Sequence, residues 1–129
     1  GLPALVASGA IGDEGLVARL RNYIYAHPND PRGSLLLGKL YLNRLWRSDG
    51  IAQFARALQI DPSVRAAPEI LPALLEVVAQ GKSTATAEDL IIKIYGSDAV
   101  PVIDRQLESV TSPAAVQRLS ALSERLLTR

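Results

Sequence analysis

The stretch Pro31–Pro62, PRGSLLLGKLYLNRLWRSDGIAQFARALQIDP, reads as two helices joined by a short turn, and it decides the fold class. Asp30 and Pro31 open the first helix as N-cap and first helical residue, where a missing N–H costs little. Leu36, Leu37, Leu40 and Tyr41 recur at helical spacing and supply its buried face. Ser48-Asp49 is the expected cap of the second helix, which carries Ile51, Phe54, Ala55 and Leu58. That helix stops at Asp61-Pro62, because proline disfavours the α conformation in the residue before it.

Helix signals continue outward on both sides. Asp13 is an expected N-cap, followed by an apolar stripe of Leu16, Val17, Leu20 and Ile24 that ends at His27-Pro28. Downstream, Ile70, Leu71, Leu74, Leu75 and Val78 predict a helix over 68–80, with a kink at Pro72 and a left-handed stop at Gly81. Thr86 with Asp89 predicts a capping box opening a helix over 87–95, which Gly96 closes. Ser97 opens a helix containing Ile103, Leu107 and Val110, and Ser112-Pro113 opens the last, with Val116, Leu119, Leu122 and Leu126. The pattern predicts seven helices and no strand.

A period of 34 residues connects these helices: Pro28 pairs with Pro62, Ala18 with Ala52, Leu20 with Phe54 and Ile24 with Leu58. The offset continues as Leu36/Ile70, Leu37/Leu71, Leu40/Leu74 and Tyr41/Leu75, while Gly38 gives way to Pro72 and Gly50 to Thr84. Counted from Pro31, Leu37 and Gly38 stand at positions 7 and 8, Tyr41 at 11, Phe54 at 24, Ala57 at 27 and Pro62 at 32. This series resembles the tetratricopeptide (TPR) repeat, with Ser34 where Trp is common and Gly50 where Ala is usual. The resemblance implies an all-α, right-handed α-α solenoid of about seven helices. It implies a single TPR-like domain over 1–129, made of a half repeat (13–28), a full repeat (31–64), a degenerate repeat (65–96) and a C-terminal helix pair (97–129). That last pair resembles HEAT-like repeats. Gly96, Ala99 and Pro101 also resemble the end of TPR regions in bacterial signalling proteins such as serine/threonine kinases.

In the family, Leu37, Gly38, Tyr41, Phe54, Ala57 and Pro62 hold positions that pack the repeat, small residues permitting close helix approach and large ones filling the space beside them. The ligand-facing positions fall on Arg32, Leu35, Lys39, Leu42 and Asn43, and in the degenerate unit on Glu69, Ala73, Glu76 and Val77. The carboxylate-clamp subfamily has Lys and Asn where Leu35 and Lys39 stand here, so its chaperone-tail ligand is not implied. The implied function is a non-catalytic scaffold for a protein or peptide. Homo-oligomerisation is the alternative, and a nucleic-acid-binding helical repeat a more distant one.

Composition agrees with helices: Leu and Ala dominate, against one Trp, four Tyr and one Phe. The formal net charge of +1 does not suggest a dedicated nucleic-acid binder. Charge is uneven, however. Arg19, Arg21, Arg32, Lys39, Arg44, Arg47 and Arg56 face only Asp30 and Asp49 between positions 19 and 56, a net of +5, whereas 66–129 carries a net of −2. Such charges, spread around several helix faces, read first as solvated surface, with attraction of an acidic peptide or anionic ligand through their summed field as the alternative. No cysteine is present, which fits a reducing compartment, and a cytoplasmic location is expected. No apolar run reaches the roughly 20 residues a membrane helix needs. The apolar opening 1–11 has no basic start, and the absence of Met reads as a fragment of a longer protein.

No catalytic, metal or cofactor constellation stands out. His27, the single histidine, has no ligating neighbour in sequence, and Gly81-Lys82-Ser83-Thr84 lacks the glycine and leading strand of a phosphate loop. Trp46, beside Arg44 and Arg47, is expected to cap the local core, with a partner anchor as the alternative, and of Tyr23 and Tyr25 one is expected to face outward.

Overall fold

The computed structural model describes residues 13–128, all of whose regular structure is helical. The cap expected at Asp13 and the apolar stretch 1–11 lie outside the described side chains. The chain divides between Val64 and Arg65 into two compact units.

The first unit holds α1 (Asp13–Ala26), α2 (Arg32–Asn43) and α3 (Arg47–Ile60). Pro28 keeps α1 from continuing, and Pro31 takes the N-cap position of α2, one residue later than expected, with Asp30 just before it. The Asp30 Oδ1 accepts the backbone N–H of Arg32 at 3.0 Å, satisfying a donor that the first helical turn leaves unpaired. Between α2 and α3 the chain reverses in three residues. Leu45 takes a left-handed conformation (φ 64°), and the backbone N–H of Trp46 returns to Tyr41 O at 2.9 Å. Gly50 N already donates to Trp46 O at 2.9 Å, so α3 begins at Arg47. The expected cap Ser48-Asp49 therefore lies inside the first turn, where the Asp49 carboxylate favours the positive end of the helix dipole.

Leu20, Leu37 and Tyr41 form a buried cluster joined by Leu16, Val17, Ile24, Leu36 and Leu40, so the expected stripes of α1 and α2 meet. α2 and α3 cross at two glycines. A methyl group built on Gly38 would lie 2.8 Å from the Phe54 ring and 3.0 Å from Gly50 O, and one on Gly50 would lie 2.9 Å from Gly38 O. The helices approach as closely as their backbones permit, and Phe54, fully buried, occupies the space beside them. Gly33 gives α2 a similar approach to Ile24 of α1. Ser34, in the position where TPR repeats commonly carry Trp, is fully buried with an unpartnered hydroxyl. Pro62 is exposed and opens a 3-10 turn (Pro62–Ala66), so its contribution is to the chain path.

The second unit contains α4 (Ile70–Gln80), α5 (Thr84–Ile94), a 3-10 turn (Gly96–Ala99), α6 (Val100–Leu107) and α7 (Pro113–Leu127). α4 buries Ile70, Leu71, Leu74, Leu75, Val77, Val78 and Ala79, a pattern that nearly encircles the helix, and it packs between α5 and α7. Pro72 is the third residue of α4, where no intrahelical N–H bond is required, so it replaces the expected kink with an ordinary helix start. Gly81 stops α4 in the left-handed conformation (φ 82°), as expected. Arg118 of α7 lies over it and donates to Ala79 O at 2.8 Å, placing a cation on the negative end of the helix.

Ser83 is also left-handed (φ 59°), and this second reversal starts α5 at Thr84. Thr86 thus falls within the helix and the expected capping box does not form. The helix expected from Ser97 through Val110 is a 3-10 turn followed by α6, which ends at Leu107. Ser112 caps α7 as predicted, its Oγ accepting from Ala115 N at 3.4 Å. Tyr95 donates its hydroxyl to Arg65 O at 2.9 Å, and burial pushes its pKa up to about 12.

Candidate functional site

The face of α2 marked by the TPR resemblance is the first candidate. Arg32, Lys39 and Asn43 are exposed and Leu35 and Leu42 half-buried, whereas Gly33, Ser34, Leu37, Gly38 and Tyr41 are buried on the other side of the helix. The five positions therefore share one face, but they differ in availability. The Arg32 guanidinium is engaged by Asp30, with Nη2 to Oδ2 at 2.7 Å and Nε to Oδ1 at 3.0 Å, and also donates to the Tyr23 hydroxyl at 3.0 Å. Tyr23 in turn donates to Asp30. Leu42 lies against Gly50, 2.7 Å from where a methyl group there would stand, so it serves the α2–α3 contact. Lys39, Asn43 and part of Leu35 remain open to a partner. Glu76 is exposed on α4 in the second unit, where it accepts from Gln80 at 3.4 Å.

Asp30 carries a pH signature. Its carboxyl is held well below the usual carboxylate range, first by Arg32, then by the Tyr23 hydroxyl and the Arg32 backbone N–H. A carboxyl depressed in the folded state adds stability above its ordinary value of 3.8, and this is lost as pH falls through the lower folded-state value. Asp30→Asn is expected to lower stability near neutrality and to flatten the decline of the urea midpoint below pH 3.8. Because the Arg32 side chain is 65% exposed, solvent screens the pair and the effect is modest. Identical acid limbs in the two proteins would show that the cluster contributes no linkage.

A second site lies on the other side of α2. Arg21, Ile24 and Tyr25 of α1, Leu37 of α2, and Gln53 and Arg56 of α3 line an open cleft of about 440 Å³. This is within the ~300–1,000 Å³ range of ligand sites. Arg21 and Arg56 belong to the basic excess visible in the sequence, but only the folding of α1 and α3 onto α2 brings them to one cleft. Tyr25, 90% exposed, is the outward-facing member of the Tyr23/Tyr25 pair, while Tyr23 is half-buried and its ring lies 4.3 Å from the exposed His27.

Trp46 covers the edge of the core on one side and leaves its other side exposed. It is 46% exposed, with one side on the Tyr41 ring (5.4 Å) and the Arg44 guanidinium 5.2 Å from its centroid. The left-handed Leu45 turns the chain before the indole can enter the core. Arg44 also pairs with Glu14 at 3.1 Å. Among the described residues no three His, Cys, Asp or Glu side chains gather in a metal-binding arrangement, and no helix is long and apolar enough to cross a membrane.

Comparison of the chain with protein-family models, with curated proteins and with solved structures returned no match.

Proposed function

We propose that the chain is a non-catalytic protein–protein interaction scaffold of the tetratricopeptide type, a right-handed α-α solenoid that holds a peptide or a partner's helix. The division of labour on α2 and α3 carries this reading. Leu37, Tyr41, Phe54 and Ala57, all no more than 2% exposed, hold the helix pair together. Lys39 and Asn43 are exposed on the opposite face of α2 and make no hydrogen bond or ion pair among the described residues. Polar side chains that the fold does not use, on a rigid helix, suit recognition. The Gly96, Ala99 and Pro101 pattern supports placing the scaffold in a bacterial signalling protein, and the absence of cysteine supports the cytoplasm.

Panning a random-peptide phage library on the immobilised chain tests the proposal. A shared motif is expected to emerge, and Lys39→Glu to weaken the selected peptide about tenfold, the scale of one interface side chain worth just over ~1 kcal/mol. Enrichment no better than on a surface without the protein would sink the scaffold reading.

One observation favours the alternative of homo-oligomerisation. Val116 (37% exposed) and Leu127 (65% exposed) are exposed apolar side chains on one face of α7, eleven residues or three helical turns apart, with Ser120 and Ser123 between them. Light scattering over a concentration series separates the two readings, a monomer throughout supporting the scaffold.

A further inference from the structure

We infer that the cleft between α1 and α3 binds an acidic peptide, seating a Glu or Asp carboxylate between Arg21 and Arg56 and an adjacent apolar side chain over Ile24 and Leu37. This rests on the scaffold reading but assigns the contact to a different face of α2 from the one that presents Lys39 and Asn43.

The cations of the first unit are not equivalent. Arg32 is paired with Asp30 and Arg44 with Glu14. Arg56, exposed at the cleft, makes no hydrogen bond or ion pair among the described residues. Arg21 gives its Nε–H, at 3.0 Å, and one Nη2–H to the Tyr41 hydroxyl. Tyr41 is itself buried, so it fixes the guanidinium in place and leaves three of its five N–H donors for a ligand. A planar fork held in this way suits a carboxylate. Asp49, whose charge acts on Arg21, is exposed and forms no ion pair with it among the described residues. The cleft therefore has a positive excess.

Two further features distinguish a peptide from a simple anion. Gln53 lines the cleft with its amide oxygen removed from water and without a donor. The terminal torsion of glutamine is soft, so the amide can turn toward a ligand, and a peptide supplies the N–H it lacks. Tyr25 stands almost fully exposed at the wall, where an aromatic ring gives contact area at little entropic cost. A carboxylate, an N–H donor and an apolar side chain occur together in an acidic-apolar peptide. Inorganic anions offer only the negative charge.

The probe is the blocked hexapeptide Gly-Leu-Glu-Leu-Glu-Gly, titrated at low salt into ¹⁵N-labelled protein alongside its Gly-Leu-Gln-Leu-Gln-Gly counterpart. The Glu peptide is expected to shift the backbone amides around Arg21, Tyr25, Gln53 and Arg56 saturably. The Gln peptide and the Arg56→Gln variant should each weaken binding roughly tenfold or more, as for loss of one charged hydrogen bond. Arg56→Gln should leave the free spectrum otherwise intact, since Arg56 has no partner in the described fold. Equal affinity for both peptides, no saturable shift, or indifference to Arg56→Gln overturns the assignment. Inorganic phosphate matching the Glu peptide in site and strength would make the cleft a general anion site. Shifts that grow with protein concentration alone would give it to a second copy, and either result overturns the peptide. A panned peptide that is lost with Lys39→Glu but retained with Arg56→Gln also refutes the cleft, yet leaves the scaffold standing.

Discussion

Phe54→Ala is expected to destabilise the first unit by about 3–5 kcal/mol. Phe54 is the only phenylalanine, fully buried on α3, and its ring lies where even a methyl group on Gly38 would collide. Truncation removes the ring and its apolar burial. The hole cannot be refilled from the nearest wall, because Gly38 has no side chain to move and its backbone is fixed by α2. The cost should therefore fall in the upper part of the range for large-to-small changes. Urea unfolding followed by Trp46 fluorescence measures it locally, since Trp46 is the only tryptophan and rests on Tyr41 of the same unit. A loss below about 1 kcal/mol would mean that the α2–α3 core collapses around the deletion, contrary to the packing described here.

The glycine crossing yields the second large effect. Gly38→Val is expected to cost about 2–3 kcal/mol, the upper end of ordinary overpacking. The obstacles are the Phe54 ring at 2.8 Å and the Gly50 carbonyl at 3.0 Å, and the carbonyl cannot rotate away. Gly50→Ala makes a sharper companion, because the TPR resemblance and the tertiary structure give it opposite signs. Alanine is usual at that repeat position, and Gly→Ala inside a helix ordinarily gains up to ~1 kcal/mol. Here the added methyl would meet Leu42 at 2.7 Å and Gly38 O at 2.9 Å. We expect net destabilisation, read as a lower urea midpoint. A raised midpoint would show that the crossing can open without penalty, and would weaken the Gly38→Val expectation as well.

These two glycines also show where sequence reading stopped. Gly38 was legible as a close-packing position through the repeat pattern, whereas Gly50 registered only as a departure from it. The reciprocal contact explains both, because each residue is small to make room for the other's backbone. Helix ends followed a similar division. Stops at Pro28, Asp61-Pro62 and Gly81 were legible, since proline and glycine restrict or release the backbone locally. Starts that follow the non-glycine left-handed residues Leu45 and Ser83 were misplaced, because nothing in those residue types announces a positive φ. Of the α2 face, Lys39 and Asn43 are exposed, whereas Arg32 is engaged by Asp30 and Leu42 lies against Gly50, contacts that no local pattern announces. The Arg21–Arg56 cleft left only a charge imbalance in the sequence, with no sign of which cations would meet.

The sequence by itself determined that this chain is helical and where most helices lie, because propensity, apolar period and helix-stopping residues act over a few neighbouring positions. It also separated the buried faces of α1 to α4, since burial follows the same local period. Only the tertiary structure decided which arginines are paired and which line a cleft, and which small residue must be glycine. Those outcomes depend on distances between helices remote in sequence, and a one-dimensional pattern does not carry such distances.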